Sequence, residues 1–160
     1  HFALLPHLTV LENVAFPLVE SGIRDRAEIA RRVHDALAVV DLEGHKDKLP
    51  VNLSGGMRKR AGIARSVVAN PQCVLYDEPT ASLDPVVADV IDQLIMRLQR
   101  LFQVTSIVVT HDMKSVFKIA DRIAMLKDGA IHFCGTPSEL RDSADREIQD
   151  FIEGRSHLQD

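Results

Sequence analysis

The most constraining feature lies in the middle of the chain. Cys73 to Tyr76 is a short, wholly apolar run, and Asp84-Pro85 then opens a helical stretch carried by Val86, Val90, Leu94, Ile95, Leu98 and Leu101. Val104 to Thr110 follows as a second run, rich in β-branched residues. Asp is a strong helix N-cap and Pro is tolerated at the first helical position, so this helix has a sharply placed start. Strand, crossover helix and strand make a βαβ unit, which implies an α/β fold with a parallel sheet and flanking helices. A wholly apolar strand in such a sheet is expected to be buried on both faces. Ligand-binding and catalytic groups gather at the carboxyl ends of the strands.

Those ends are Asp77-Glu78 and Thr110-His111-Asp112. Two carboxylates at the end of an apolar strand are costly unless a cation or a reaction uses them. A hard divalent cation such as Mg²⁺ suits Asp77, and the adjacent Glu78 is placed to orient and polarise a water. The plainer alternative is a pair of solvated carboxylates. A neighbouring strand would bring His111 near Glu78, where an imidazole bonds a phosphate oxygen. A lone histidine is more often structural, and the other histidines form no set of metal ligands with it.

A third element is Leu53-Ser54-Gly55-Gly56, directly before a helix. Ser54 is fitted to cap that helix, and the glycines remove side chains that would block close approach. A helix N-terminus offers free N–H groups and the positive end of its dipole, so it is suited to an anion. Arg58, Lys59 and Arg60 add positive charge there, some of it facing solvent. On its own, such a segment is an ordinary glycine-rich loop.

The remainder frames these elements. Ile23, Ala27, Ala30, Val33, Leu37 and Val40 recur at helical spacing, with Arg24, Asp25, Glu28, Arg31, Arg32 and Asp35 on the solvated face. A loop from Asp41 to Leu53 is broken by Gly44 and Pro50. Ala61, Ala64, Val67 and Val68 make another helical face. Val116, Phe117 and Ala120 belong to a further helix. Asp128-Gly129 between two apolar runs signals a hairpin, and Thr136-Pro137-Ser138-Glu139 is a capping box. Arg146 to Gly154 reads as helix, with frayed residues after it.

Among 160 residues, 19 Lys and Arg face 23 Asp and Glu, for a net charge of −4. That balance argues against nucleic-acid binding by bulk positive charge. Cys73 and Cys134 make neither a disulfide framework nor a zinc spacing, and they are expected to be buried thiols of a reducing compartment. No apolar stretch reaches a membrane-spanning length, and no signal peptide is expected.

The ordered combination is more specific than any part: L-S-G-G, an apolar strand ending in D-E-P-T, S-L-D-P, and a strand ending in T-H-D. It resembles the ATP-binding subunit of ABC transporters, a P-loop NTPase domain. The resemblance implies that Leu53, Ser54, Gly55 and Gly56 are the signature motif and bind ATP phosphates across a dimer. It implies that Cys73 to Asp77 is the Walker B strand, with Asp77 holding Mg²⁺ through water and Glu78 as catalytic base. The resemblance further implies that Asp84 ends the D-loop and works across the dimer interface, and that His111 is the switch histidine. Met57 stands where the family usually has Gln. No G-x-x-x-x-G-K-[ST] occurs in the chain. The chain therefore resembles the C-terminal part of such a domain, with residues 1–70 a helical signature subdomain and 71–160 the rest of the RecA-like core. By itself it is expected to be inactive, since phosphoryl transfer depends on the missing phosphate cradle. The exposed edge and apolar surface left by missing strands predict aggregation.

Ala3 to Leu18 falls where the family enters its helical subdomain and meets a membrane partner. The segment E-N-V-A-F-P-L, Met57, and the ending Ile148 to Gly154 are most similar to Mla-type ATPases of phospholipid and organic-solvent-tolerance transporters. The partners implied are a second ATPase subunit, integral membrane permease subunits and an Mce-domain lipid-binding protein. The implied location is the cytoplasmic face of the bacterial inner membrane. Two other readings stand beside this one: a soluble ABC ATPase without a permease, and a non-catalytic module lending its signature face to an intact partner.

Overall fold

In the computed structural model, which describes residues 4–155, the chain opens on helix α1, Val10–Glu20. Its start is fixed by a reciprocal cap. Thr9 Oγ1 accepts from the Glu12 amide, and the Glu12 carboxylate accepts from the Thr9 amide at 2.7 Å. Asn13 is fully buried and ties the preceding loop to the helix. Its amide donates to the carbonyls of Leu5, Leu8 and Thr9, and its oxygen accepts from the Leu5 N–H at 2.7 Å. Helix α2, Arg26–Val39, is N-capped by Asp25 and shows the expected periodicity, with Val33 and Leu37 buried. Two single 3₁₀ turns, Glu43–His45 and Pro50–Asn52, occupy the expected loop.

Helix α3 is Gly55–Val67, strand β1 Cys73–Asp77, helix α4 Pro85–Phe102 and strand β2 Thr105–Val109. The βαβ expectation holds. β1 and β2 pair in parallel, in a register from Cys73 opposite Thr105 to Asp77 opposite Val109. The core of this part gathers Val10, Val14 and Leu18 of α1 with Leu37 of α2, Ala61 and Ala64 of α3, and Ile91 and Leu98 of α4. Helix α3, with Ala61 and Ala64 fully buried, packs against α1.

Burial of the sheet corrects the sequence expectation. Val74 and Tyr76 are buried, but Leu75 is 74% exposed, and Ile107 and Val109 are 52% and 60% exposed. One face of the pair is packed and the other is open. An unbroken apolar run is compatible with either arrangement, because the open face is also apolar. Cys73 points to that open face and is exposed, as is Cys134, so neither is a buried thiol. Burial of the Tyr76 phenol raises its pKa to about 12.

The chain divides into two compact units, one ending at Val109 and the other starting at Thr110. The second holds helix α5, Met113–Ile119, strands β3, Ile123–Lys127, and β4, Ala130–Gly135, and helices α6, Pro137–Arg141, and α7, Arg146–Glu153. β3 and β4 form the expected antiparallel hairpin. Asp128 and Gly129 both have positive φ, 49° and 78°, as a two-residue turn matched to strand twist requires. Thr136 and Glu139 form the expected capping box. Helix α7 runs from an Asp145 cap to Gly154, and the frayed tail expected after it lies mostly outside the described residues. Ala3, at the head of the segment expected to meet a membrane partner, lies outside them too. No helix among the described residues is long and apolar enough to cross a membrane.

Candidate functional site

Leu53 is buried and anchors the segment before α3, while Ser54 and Gly55 are exposed. Ser54 caps α3 as expected, its Oγ accepting from the Met57 amide at 3.2 Å. The first intrahelical bond runs from Arg58 N to Ser54 O, so the N–H groups of Gly55 and Gly56 stand ahead of the helical ladder. That arrangement fits an anion.

The three cations that follow have structural work, which the sequence reading did not assign. Arg58 Nη1 donates to the Leu53 carbonyl at 2.7 Å and Arg60 Nη1 to the Val40 carbonyl at 2.8 Å. Lys59 is 4% exposed, and its Nζ donates to the carbonyls of Ala81 at 2.6 Å and Glu78 at 3.3 Å. Burial lowers the Lys59 pKa, and the nearby Glu78 charge opposes that shift. The signal for Lys59 was its spacing. It lies one turn before Ile63 and two before Val67, both buried, on the apolar face of α3.

At the carboxyl end of β1, Asp77 is exposed and Glu78 half-buried. Glu78 takes a left-handed backbone, φ 46°, and its N–H donates to the Val109 carbonyl at 2.9 Å. The chain then turns tightly: Ala81 N bonds Glu78 O and Leu83 N bonds Thr80 O, both at 3.3 Å, and Ser82 has φ 61°. Asp84 caps α4, its Oδ1 accepting from the amides of Val86 at 3.1 Å and Val87 at 3.0 Å.

Gly55, Lys59, Asp77, Glu78, Ser82 and Leu83 line one open cleft of about 630 Å³. The fold thus brings together the glycine-led helix start, both strand-end carboxylates and the turn after them. Ser54 and Asp84 flank the cleft in sequence without lining it. His111 belongs to the second unit, where it is exposed, just before the Asp112 cap of α5.

The sequence profile of the ABC transporter family matches residues 1–81. The chain belongs to the ABC transporter family. It is 45% identical over 140 residues to the spermidine/putrescine import ATP-binding protein PotA of Nitratidesulfovibrio vulgaris, covering 88% of this chain and 38% of that protein. It is 42% identical over 139 residues to the trimethylamine N-oxide transport system ATP-binding protein TmoW of Ruegeria pomeroyi, covering 87% of this chain and 41% of the relative. The chain therefore spans about two fifths of these relatives. In structure it resembles the ATP-binding cassette MJ0796, solved as a dimer in a post-hydrolysis state bound to ADP and Pi. The TM-score is 0.74 at 36% identity, over 85% of this chain and 60% of that one. The α/β architecture is thus that of part of an ABC ATPase domain.

Proposed function

We propose that the chain is part of the ATP-hydrolysing subunit of an ABC transporter. The observation that carries this reading is the shared cleft of Gly55, Asp77 and Glu78 within a fold resembling an ATP-binding cassette. Asp77 is an exposed carboxylate, a hard oxygen donor suited to Mg²⁺. The N–H groups heading α3 suit the phosphates of ATP. When bound, Mg²⁺ neutralises charge on the transferred phosphoryl group. Glu78 positions and deprotonates the attacking water. Leu53 seats the signature segment, and Ser54, Gly55 and Gly56 present the start of α3 to ATP held by a second subunit. Asp84, which also caps α4, works across the dimer interface, and His111 contacts the terminal phosphate. Residues 1–70 act as the helical signature subdomain and 71–160 as core.

The proposed partners are a second ATPase subunit and integral membrane permease subunits, at the cytoplasmic face of the bacterial inner membrane. PotA and TmoW are named for small polar solutes and favour an importer of that kind. The finer reading, a phospholipid transporter with an Mce-domain partner, rests on the E-N-V-A-F-P-L segment, Met57 and the C-terminal ending alone, and the relatives, named for spermidine/putrescine and trimethylamine N-oxide, lend it no support.

The decisive experiment is Glu78→Gln in the full-length protein. Hydrolysis is expected to fall at least a hundredfold, within the range for loss of a general base, while ATP still binds. Hydrolysis at the unsubstituted rate would remove Glu78 from this role.

A further inference from the structure

The turn from Glu78 to Ser82 is costly to hold. Glu78 and Ser82 both take left-handed backbone conformations without being glycine. Such a conformation crowds the β-carbon of an L-residue and persists only where its surroundings over-determine it. Backbone hydrogen bonds within the turn are long, at 3.3 Å. Lys59 of α3, 22 residues earlier, donates to the Ala81 carbonyl of the turn at 2.6 Å. The same ammonium reaches the Glu78 carbonyl at 3.3 Å. An ammonium 4% exposed keeps its charge only by saturating its donors, and these two carbonyls supply acceptors.

Lys59 also stands four residues after Gly55 on one helix, so the two lie on the same side of α3, and both line the cleft. One rigid helix therefore carries the phosphate-facing N-terminus at one end of a turn and a hold on the Glu78 backbone at the other.

We propose that Lys59 is a positioning residue: its ammonium clamps the Glu78 and Ala81 carbonyls and thereby aims the Glu78 carboxylate in register with the start of α3. This rests on the reading of Glu78 as the base. Displacement of the α3 N-terminus on engaging ATP then reaches the Glu78 backbone through a charged hydrogen bond rather than through loose packing. Lys59 makes no contact with the reacting atoms in this scheme, and its effect passes through Glu78.

The test uses the full-length protein and steady-state ATPase kinetics. Lys59→Met keeps the apolar stem and removes every donor, and Lys59→Gln keeps an N–H donor. For Lys59→Met, kcat is expected to fall about tenfold or more with KM for ATP within about twofold, the pattern of an interaction made in the transition state. Lys59→Gln is expected to recover at least about a third of the original kcat, a rescue that simple loss of packing would not show. In single-turnover measurements, Lys59→Met added to Glu78→Gln is expected to cause no further loss, since both act through one carboxylate.

An unchanged kcat in Lys59→Met, a loss confined to KM, or full multiplication of the two losses would overturn the clamp. Should Lys59→Met not fold, Lys59→Gln and Lys59→Arg carry the test. Both retain donors, and a tenfold fall in kcat in both at an unchanged melting temperature overturns the proposal, while near-normal rates support it. Normal hydrolysis by Glu78→Gln alone is a separate outcome. It removes the base reading itself, whereas loss in Glu78→Gln with full activity in Lys59→Met removes only the clamp.

Discussion

Gly56 faces Val87 so closely that a β-carbon on Gly56 would lie 2.7 Å from Val87 Cγ1. The second glycine of the Leu53–Gly56 segment is therefore needed inside the chain, where the first turn of α3 meets the first turn of α4. Gly55 differs: a β-carbon there would meet Leu83 Cδ2 at 3.8 Å, an ordinary contact. Of the two adjacent glycines, packing requires only Gly56.

Gly56→Ala is expected to destabilise the fold by about 1–3 kcal/mol, as overpacking does, because the β-branched Val87 has little rotamer freedom to yield. Val87→Ala in the same molecule should recover most of that loss. Gly55→Ala should leave stability within about 0.5 kcal/mol, the range for substitutions that meet no strain. Denaturant unfolding of the four variants measures this, and additive losses in Gly56→Ala and Val87→Ala would contradict the contact.

Asn13 offers a second test on stability. Its amide faces three carbonyls while its oxygen faces the Leu5 N–H. Asn13→Ala strands these buried groups and is expected to cost about 2–4 kcal/mol, since each unsatisfied partner carries a desolvation penalty of roughly 1–3 kcal/mol. Asn13→Asp at neutral pH should be worse, because a carboxylate oxygen would replace the donor among three carbonyl oxygens. Thermal melts of the two variants give the order.

The capping carboxylates predict an acid-side pH dependence. Hydrogen bonds from the Thr9 backbone and side chain hold the Glu12 carboxyl below its ordinary 4.5, and those from Thr136 do the same for Glu139. Each folded pKa is depressed, so the stabilisation is fully present above 4.5 and is lost as pH falls through the folded value. Glu12→Gln and Glu139→Gln should each flatten stability against pH below about 4.5 and leave its slope near neutrality unchanged. Unfolding curves from pH 7 to 3 check this.

The open face of the β1–β2 pair should be detectable in the 160-residue chain. Leu75, Ile107 and Val109 are each more than half exposed, so the chain is expected to bind a hydrophobic dye and to self-associate. Leu75→Thr with Ile107→Thr should lower dye fluorescence and association while leaving the melting temperature nearly unchanged. Light scattering and dye titration measure both effects. An unaltered dye signal would mean that this face does not provide the binding surface.

Features carried by neighbouring residues were legible in the sequence. Asp84-Pro85, Ser54, Thr136 to Glu139 and Asp128-Gly129 announce helix starts and a hairpin because a cap or turn is completed within three residues. The βαβ order, and with it the placing of Asp77 and Glu78 at a strand end, followed from apolar patterning alone. What only the tertiary structure decided joins residues far apart. Arg58, Lys59 and Arg60 read as local charge for an anion, yet each spends hydrogen bonds on backbone carbonyls, those of Lys59 lying 19 and 22 residues away. Apolar composition did not reveal which side of β1 is packed, because both sides are apolar and only the helices laid against one of them make the difference. The need for glycine at position 56 likewise arises only when α4 arrives. Local hydrogen-bond chemistry is written in adjacent residues, whereas shape complementarity exists only once separate elements meet.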